Sequence, residues 1–418
     1  MSTPWESVSE VQQVEVLIVG AGVIGSSLAM HLAERGVAGV RVVDFDLEGV
    51  LSSSELNAGG VRATFHQPLN VEFSRDTIAW MAGCAEEVGY HPKGYLWLRA
   101  PEAVDAALKT RELHQRLGWE VQVWDLARLR AEVPFLDKTD GIGAAFFSPR
   151  DGLVNPNLVK NHFRARARAA GAQLDDRTAV RAVAYEAGGL RVEAERFEQV
   201  LAHETKLEVL THPGQDQRRK RVVYRAARVV NCAGPWAAPL ASLLGYASPA
   251  YAQRRQVTVF DCRDVDLRPY GMVVDTSGVY FHPEATNGLA GFATRDEPRG
   301  YNYQYDGAKF FEEFLWPALY ERSSAFERLK HLTGWAGLYE VSPDESAILG
   351  AVEGVPAAGK GRVFEAHSFS GHGVMHSYAA GRALAELMVS GRYQTLDAAP
   401  LSGSRFEAGR PLAEHAVI

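Results

Sequence analysis

The stretch VEVLIVGAGVIGSSLAMHLAERG, residues 14–36, constrains the fold more than any other part of the chain. Val14 to Val19 is a β-branched run suited to a strand buried on both faces. Gly20, Gly22 and Gly25 form a turn, and the spacing predicts a helix from about Ile24 to Arg35 that stops at Gly36. A second apolar run, VRVVDFD, carries Asp44, 19 positions after Gly25. Strand, glycine turn, helix, strand and acid together make a dinucleotide-binding βαβ unit. Gly20 allows the tight turn, Gly22 lets backbone approach a pyrophosphate, and Gly25 lets the helix pack on the strand. The helix N-terminus attracts phosphate, and Asp44 can accept from a ribose hydroxyl. The fingerprint serves NAD and FAD alike. Its place near the start of a long chain, followed by polar loops rather than regular αβ alternation, favours FAD.

Composition bounds the rest. A chain of 418 residues exceeds one hydrophobic core, so two domains are expected. With 46% hydrophobic and 23% charged residues it reads as globular and soluble. A net charge of −7 offers no basic surface for nucleic acid or an anionic membrane. No signal peptide and no membrane span are read, and the 3 cysteines form no CxxC, so reduced thiols and a cytoplasmic location are expected. No metal site is expected.

Two further motifs lie far downstream. ARVVNCAGPWA, residues 227–237, reads as a strand, a small-residue turn at Ala233 and Gly234, and a helix that Pro235 can start. HSFSGHGVMHSYAAGRALAELMVSG, residues 367–391, is a glycine-rich turn feeding a long amphipathic helix. Its N-terminus, with Gly371 and Gly373, can direct N–H groups at an acceptor carrying negative charge.

The N-terminal fingerprint, NCAGPWA and FSGHG occur together, in this order, in the D-amino acid oxidase superfamily of flavoproteins, which the chain resembles from about Val14 to Gly391. It looks most like the branch holding sarcosine oxidase, dimethylglycine dehydrogenase, glycine oxidase and the proline dehydrogenase β subunit. The resemblance implies an α/β (α+β) fold, in which a Rossmann-like, glutathione-reductase-type FAD domain is interrupted by a mostly antiparallel substrate domain. It also implies extended FAD and oxidation of a carbon bonded to nitrogen. The implied cofactor residues are Gly20, Gly22, Val23, Ile24, Gly25 and Asp44, then Ser53, Ser54, Asn57, Ala58, Gly59 and Gly60. Further along they are Val180, Cys232, Ala233, Gly234, Trp236, Gly371, His372, Gly373, Val374 and Met375.

The departures from the family are informative. Asn57 stands where dimethylglycine dehydrogenase-like members have a flavin-bonded histidine, and Gly337 stands where sarcosine oxidases have a flavin-bonded cysteine, so FAD should be non-covalent. Arg62 matches the arginine that clasps the substrate carboxylate in sarcosine oxidase, and a guanidinium fork suits that task. Met375 replaces a second carboxylate-binding lysine, which implies a more apolar pocket. Ala290 replaces the lysine that assists reaction with oxygen, which leans toward a dehydrogenase. Arg62, Tyr339 and Met375 are the implied catalytic positions. His282, His372 and His376 are candidates for a base with no clear claim, and His66 reads as a loop hydrogen-bonder. Tyr280 could wall the pocket, whereas Arg255 and Gln256 read as strand-surface residues.

The expected FAD domain comprises residues 14–89, 149–248 and 331–395. The substrate domain comprises 90–148 and 249–330, leaving 396–418 as a C-terminal tail. Within these, residues 203–226 read as a hairpin with a basic tip, and YNYQYDGAKFFEEF as a tyrosine-rich helix. The expected activity is FAD-dependent oxidation of an amino acid or a secondary or N-methyl amine to an imine, with oxygen or another acceptor taking the electrons. The alternative is a flavoprotein subunit or assembly factor with little turnover of its own. A homo-oligomer and a partner subunit both fit.

Overall fold

In the computed structural model, residues 10–211, 219–294 and 296–415 are described. The chain divides into two compact units, each built from separated segments. The first takes residues up to Leu56, Pro156–Ala252 and Tyr339–Ala413; the second takes Asn57–Asn155, Gln253–Leu338 and the residues from Glu414.

The first unit is built on an eight-stranded sheet. Its main path runs Ile348–Ala351, Val363–His367, Arg219–Asn231, Glu10–Val19, Val40–Val43, Gln173–Asp175. The four adjoining strands from Val363–His367 to Val40–Val43 pair in parallel, and so does Gln173–Asp175 at the edge. Val16, Leu17 and Ile18 are fully buried, as a strand covered on both faces requires. The antiparallel ribbon Thr178–Glu186 and Gly189–Phe197 branches off the early part of Arg219–Asn231. The helix Val23–Glu34 follows the first strand and lies against Gly373–Ser390, where a Cβ on Gly381 would come within 2.3 Å of Ser27 Oγ. That contact explains the glycine in the middle of a long helix.

The second unit contains a sheet of strand order Lys330–Val341, Tyr251–Asp261, Asn287–Phe292, Tyr280–Glu284, Met272–Val274, Tyr95–Arg99, Ala144–Ser148, Gln122–Trp124. Its pairing is mostly antiparallel, with Met272–Val274 running parallel to Tyr95–Arg99. One face carries Leu96, Leu98, Val273, Phe281 and Phe260 into an apolar core shared with Phe311, Leu315 and Phe326. Alternation therefore places Tyr95, Trp97, Arg99, Met272, Tyr280 and His282 on the other face.

Several expectations need correction. Residues 57–89 belong to the second unit rather than the first. Gly60–Val61 pairs with Gly152–Leu153, His91 bridges Leu153, and the Asn155 N–H donates to the Val88 carbonyl. By the same division, 149–155 and 331–338 also fall in the second unit. His203–Thr211 is a helix, not the first arm of a hairpin; residues 212–218 lie outside the described residues, and Arg219, Lys220 and Arg221 of the expected basic tip open the strand Arg219–Asn231, paired with Glu195, Glu198 and Glu193. Tyr301 to Asp306 has no regular structure and the helix begins only at Ala308, because Asp306 is held by the Arg254 and Gln256 side chains. The C-terminal segment is not a loose tail. Arg405 is buried and bonds both carboxylate oxygens of Asp344 at 2.8 Å, and the buried Glu414 belongs to the second unit. Among the described residues, no helix is long and apolar enough to cross a membrane.

Candidate functional site

In the first unit the glycine turn has the crowding that the motif requires. Gly20 has φ of +107°, and a Cβ there would sit 2.1 Å from the Cys232 carbonyl oxygen. A Cβ on Gly25 would sit 2.0 Å from the Gly20 carbonyl oxygen. Gly22 is the N-cap of the helix and offers no side chain to cap it. The Val23 N–H donates to Ser54 Oγ at 3.0 Å, which ties the expected Ser53–Ser54 segment to the turn. Asp44 accepts from the Ala21 N–H at 2.5 Å and from the Asp46 N–H at 2.8 Å. Burial pushes its carboxyl up, and those two N–H groups oppose the shift.

Sequence reasoning missed the support beneath this turn. Arg164 donates from Nε to the Ala21 carbonyl at 3.1 Å and from Nη1 to the Leu47 carbonyl at 2.7 Å. One helical turn earlier, Lys160 is buried and pairs with Glu55 at 2.5 Å. Two cations four residues apart on the buried face of Pro156–Ala169 were the available signal.

The second motif joins the first in space. The Cys232 N–H donates to the Val19 carbonyl at 2.9 Å, so the turn Ala233–Gly234, with Gly234 at φ +53°, stands beside Gly20. Asn231 fixes it, donating to the Ala237 carbonyl at 2.9 Å and to the Tyr246 hydroxyl at 3.0 Å. Trp236 ends a 3-10 turn rather than opening an α-helix, which begins at Ala237. Val180 packs in the same apolar cluster as Val19, Val43 and Ala233. Burial pushes the Cys232 thiol well above its usual range.

The loop before Gly373–Ser390 is held by a buried cluster that the sequence did not reveal. Ser368 and Ser370 take left-handed backbone, φ +58° and +48°, costly for residues with a Cβ. The Ser368 N–H donates to Glu340 Oε2 at 2.6 Å, and the Ser370 N–H to the Glu340 carbonyl at 3.0 Å. His367 stands between two acids, with Nε2 3.0 Å from Glu365 and Nδ1 3.4 Å from Glu340, all three buried. Burial pushes the Glu340 carboxyl up to about 7 against the pull of His367 and the Ser368 N–H. Burial disfavours the charged imidazole of His367, but the two glutamates outweigh it and its pKa is raised. Beyond the loop, Gly371 at φ +87° leaves no room for a Cβ, which would lie 2.5 Å from the Tyr339 ring. His372 is the helix N-cap without a side-chain cap bond, and Gly373, Val374 and Met375 form the first turn. Ile24 opens the other helix in the same way, one position after Val23.

The second unit holds the opening of the Asn57–Arg62 stretch. Asn57 Oδ1 accepts from the Gly59 N–H at 2.7 Å, giving Gly59 its φ of +81° after Ala58. The glycine at 60 is needed by a neighbour inside the unit: a Cβ would fall 1.9 Å from the Tyr95 hydroxyl. Arg62 is 2% exposed. Its Nη1 donates to the Thr64 carbonyl at 3.0 Å, and its guanidinium carbon lies 4.1 Å from the Phe65 ring centre and 5.2 Å from that of Trp97. Asp151 accepts from the Ala63 N–H at 2.8 Å and from Thr64 Oγ1 at 3.3 Å, while Trp97 Nε1 donates to Thr64 Oγ1 at 3.2 Å. Burial pushes Asp151 up to about 7, opposed by those bonds and by Arg62. His66 makes a loop hydrogen bond, as expected, with Nδ1 3.0 Å from Glu414 Oε1. His282 bonds the Pro283 carbonyl at 2.8 Å and burial holds its pKa down, so it carries no charge near neutrality. Gln256 and Arg255 are engaged with Asp306 and the Arg254 carbonyl.

Known proteins fit this picture. A family model described as DAO, FAD dependent oxidoreductase, matches residues 15–387. FAD-dependent oxidoreductase domain-containing protein 1 of Xenopus laevis is 29% identical, over 97% of this chain and 85% of the relative. Human mitochondrial dimethylglycine dehydrogenase is 24% identical, over 90% of this chain and 42% of its own length. The crystal structure of L-proline dehydrogenase from P. horikoshii superposes with a TM-score of 0.80 at 22% identity, covering 97% of this chain and all of that one. A dinucleotide turn crowded on Cys232, a parallel sheet, a separate antiparallel sheet and a match over most of the length lead to one conclusion: the chain belongs to the DAO family of FAD-dependent oxidoreductases.

Proposed function

We propose that this protein oxidises the carbon–nitrogen bond of an amino acid or of a secondary or N-methyl amine to an imine. The observation that carries the reading is Arg62, a permanent cation 2% exposed and laid against the Phe65 and Trp97 rings. A guanidinium so shielded from water is suited to grip a substrate carboxylate. Relatives named for dimethylglycine and L-proline support the substrate class.

The residues fit FAD. Gly20 and Gly25 let the turn fold tightly against backbone, and at Gly22, where a Cβ would meet only Ser54 Oγ, the start of the helix is suited to a pyrophosphate. Asp44 would meet a ribose, and Ala233 and Gly234 would pass close to the dinucleotide. Asn57 supports a dissociable cofactor, since its amide is no nucleophile. Bound FAD supplies the two-electron acceptor for the hydride. The chain supplies placement and charge. The N–H groups from Gly371 to Met375 and the dipole of their helix stabilise negative charge. Arg62 orients the substrate and lowers the pKa of its amine, so that the neutral form is oxidised.

Arg62→Ala tests the reading. Loss of one charged, bidentate hydrogen-bond pair is expected to lower kcat/KM for a carboxylate-bearing substrate roughly 100-fold, with Arg62→Lys intermediate. Unchanged kcat/KM removes Arg62 from substrate binding.

A further inference from the structure

Arg99 is a second cation on the sheet face that carries Trp97, and among the described residues no carboxylate pairs with it. Its guanidinium carbon is 4.7 Å from the Trp97 ring centre, and that of Arg62 is 5.2 Å from the same ring. The two guanidinium carbons therefore lie within about 10 Å of each other. Alternation along Tyr95–Arg99 turns Leu96 and Leu98 into the core and leaves Arg99 on the face with Trp97. Arg99 Nε is buried without a hydrogen-bond partner. Its pKa is lowered by burial and by Arg62, and no carboxylate among the described residues counters either. A half-buried guanidinium facing a like charge is costly unless an anion completes it. Contact with Trp97 recovers only part of that cost.

We propose that Arg99 receives a second carboxylate on the substrate, so that the preferred substrate is a dicarboxylic amino or imino acid. The proposal rests on the reading that Arg62 takes the first carboxylate. A carboxylate fits better than a phosphate, because one negative charge balances one guanidinium whereas two would leave a buried excess.

The test uses the full-length, FAD-loaded protein and two acids that cannot be oxidised at a C–N bond, thiodiacetate and (methylthio)acetate. Binding is measured by titration calorimetry, so turnover is not required. The wild type is expected to bind the diacid about 30-fold more tightly than the monoacid, the range for one charge-assisted hydrogen-bonded contact. Arg99→Met, which keeps the apolar stem on Trp97, is expected to reduce that ratio to near one, with Arg99→Lys in between. Arg62→Ala is expected to weaken both acids. Equal wild-type affinities, or a ratio unchanged in Arg99→Met, overturns the Arg99 proposal alone. Monoacid affinity unchanged in Arg62→Ala overturns the reading beneath it, and so does failure of both acids to bind the wild type.

Discussion

The cluster Glu340–His367–Glu365 makes a prediction whose size follows from the structure. Glu340 is raised from 4.5 to about 7, mainly by burial. At roughly 1.4 kcal/mol per unit, the folded state favours the neutral acid by about 3 kcal/mol. A carboxyl raised in the fold adds stability that is full below 4.5 and is lost as pH rises toward 7. His367, also raised, changes in the same direction: its contribution is present at low pH and lost as pH rises through its folded value. Among the groups that act on or feel Glu340 are His367, Glu365, the Ser368 N–H and side chain, the Cys232 thiol and the Tyr246 hydroxyl, and Arg405 acts on His367. Glu340→Gln mimics the neutral acid and can still accept from Ser368. The assay is the thermal midpoint of variant minus wild type across pH. The difference should be near zero at pH 4.5 and grow to several degrees in the variant's favour by pH 8, at about 2–4 °C per kcal/mol for a domain of this size class. A difference that stays flat, or that favours the wild type at pH 8, would refute the idea that Glu340 is held neutral by burial.

Two further outcomes are expected. Gly25→Ala, whose Cβ would lie 2.0 Å from the Gly20 carbonyl oxygen, should yield folded protein with little or no flavin, read from the absorbance ratio of flavin to protein. Glu414→Ala should destabilise the second unit by about 2–4 kcal/mol in urea, because a buried carboxylate bonded to the His66 and Gln67 N–H groups and to Asn70 is lost. Its folded pKa is depressed although burial pulls the other way, so the wild-type advantage is present above 4.5 and fades as pH falls through the folded value.

The parts of the molecule that were legible in the sequence are those governed by local rules. The helix expected from Ile24 to Arg35 runs Val23–Glu34, because strand, glycine turn and apolar periodicity all act within one short stretch. The glycines at 20, 25 and 371 were legible for the same reason: each meets backbone or ring atoms that only glycine tolerates. What was not legible depended on distant partners. Glu365 and His367 share a strand two residues apart, but Glu340 lies on a strand paired in the other sheet, and no local pattern marks their meeting. Arg99 reads as an ordinary strand end until alternation turns it onto the face of Trp97. The apolar pattern of residues 203–211 served a helix as well as a strand, and the Pro213–Gly214 pair that follows can end either. The C-terminal segment read only as a tail because its anchors, Asp344 for Arg405 and Asn70 for Glu414, are 61 and 344 positions away.

Oxidation of an amine by bound FAD can be read from one visible spectrum. The purified protein is held without oxygen and its visible absorption is followed while amino acids and secondary or N-methyl amines are added one at a time. The expected result is a flavin band that trichloroacetic acid releases from the protein and that one carboxylate-bearing amine bleaches fully. A flavin band that no amine or amino acid in the panel bleaches would contradict it.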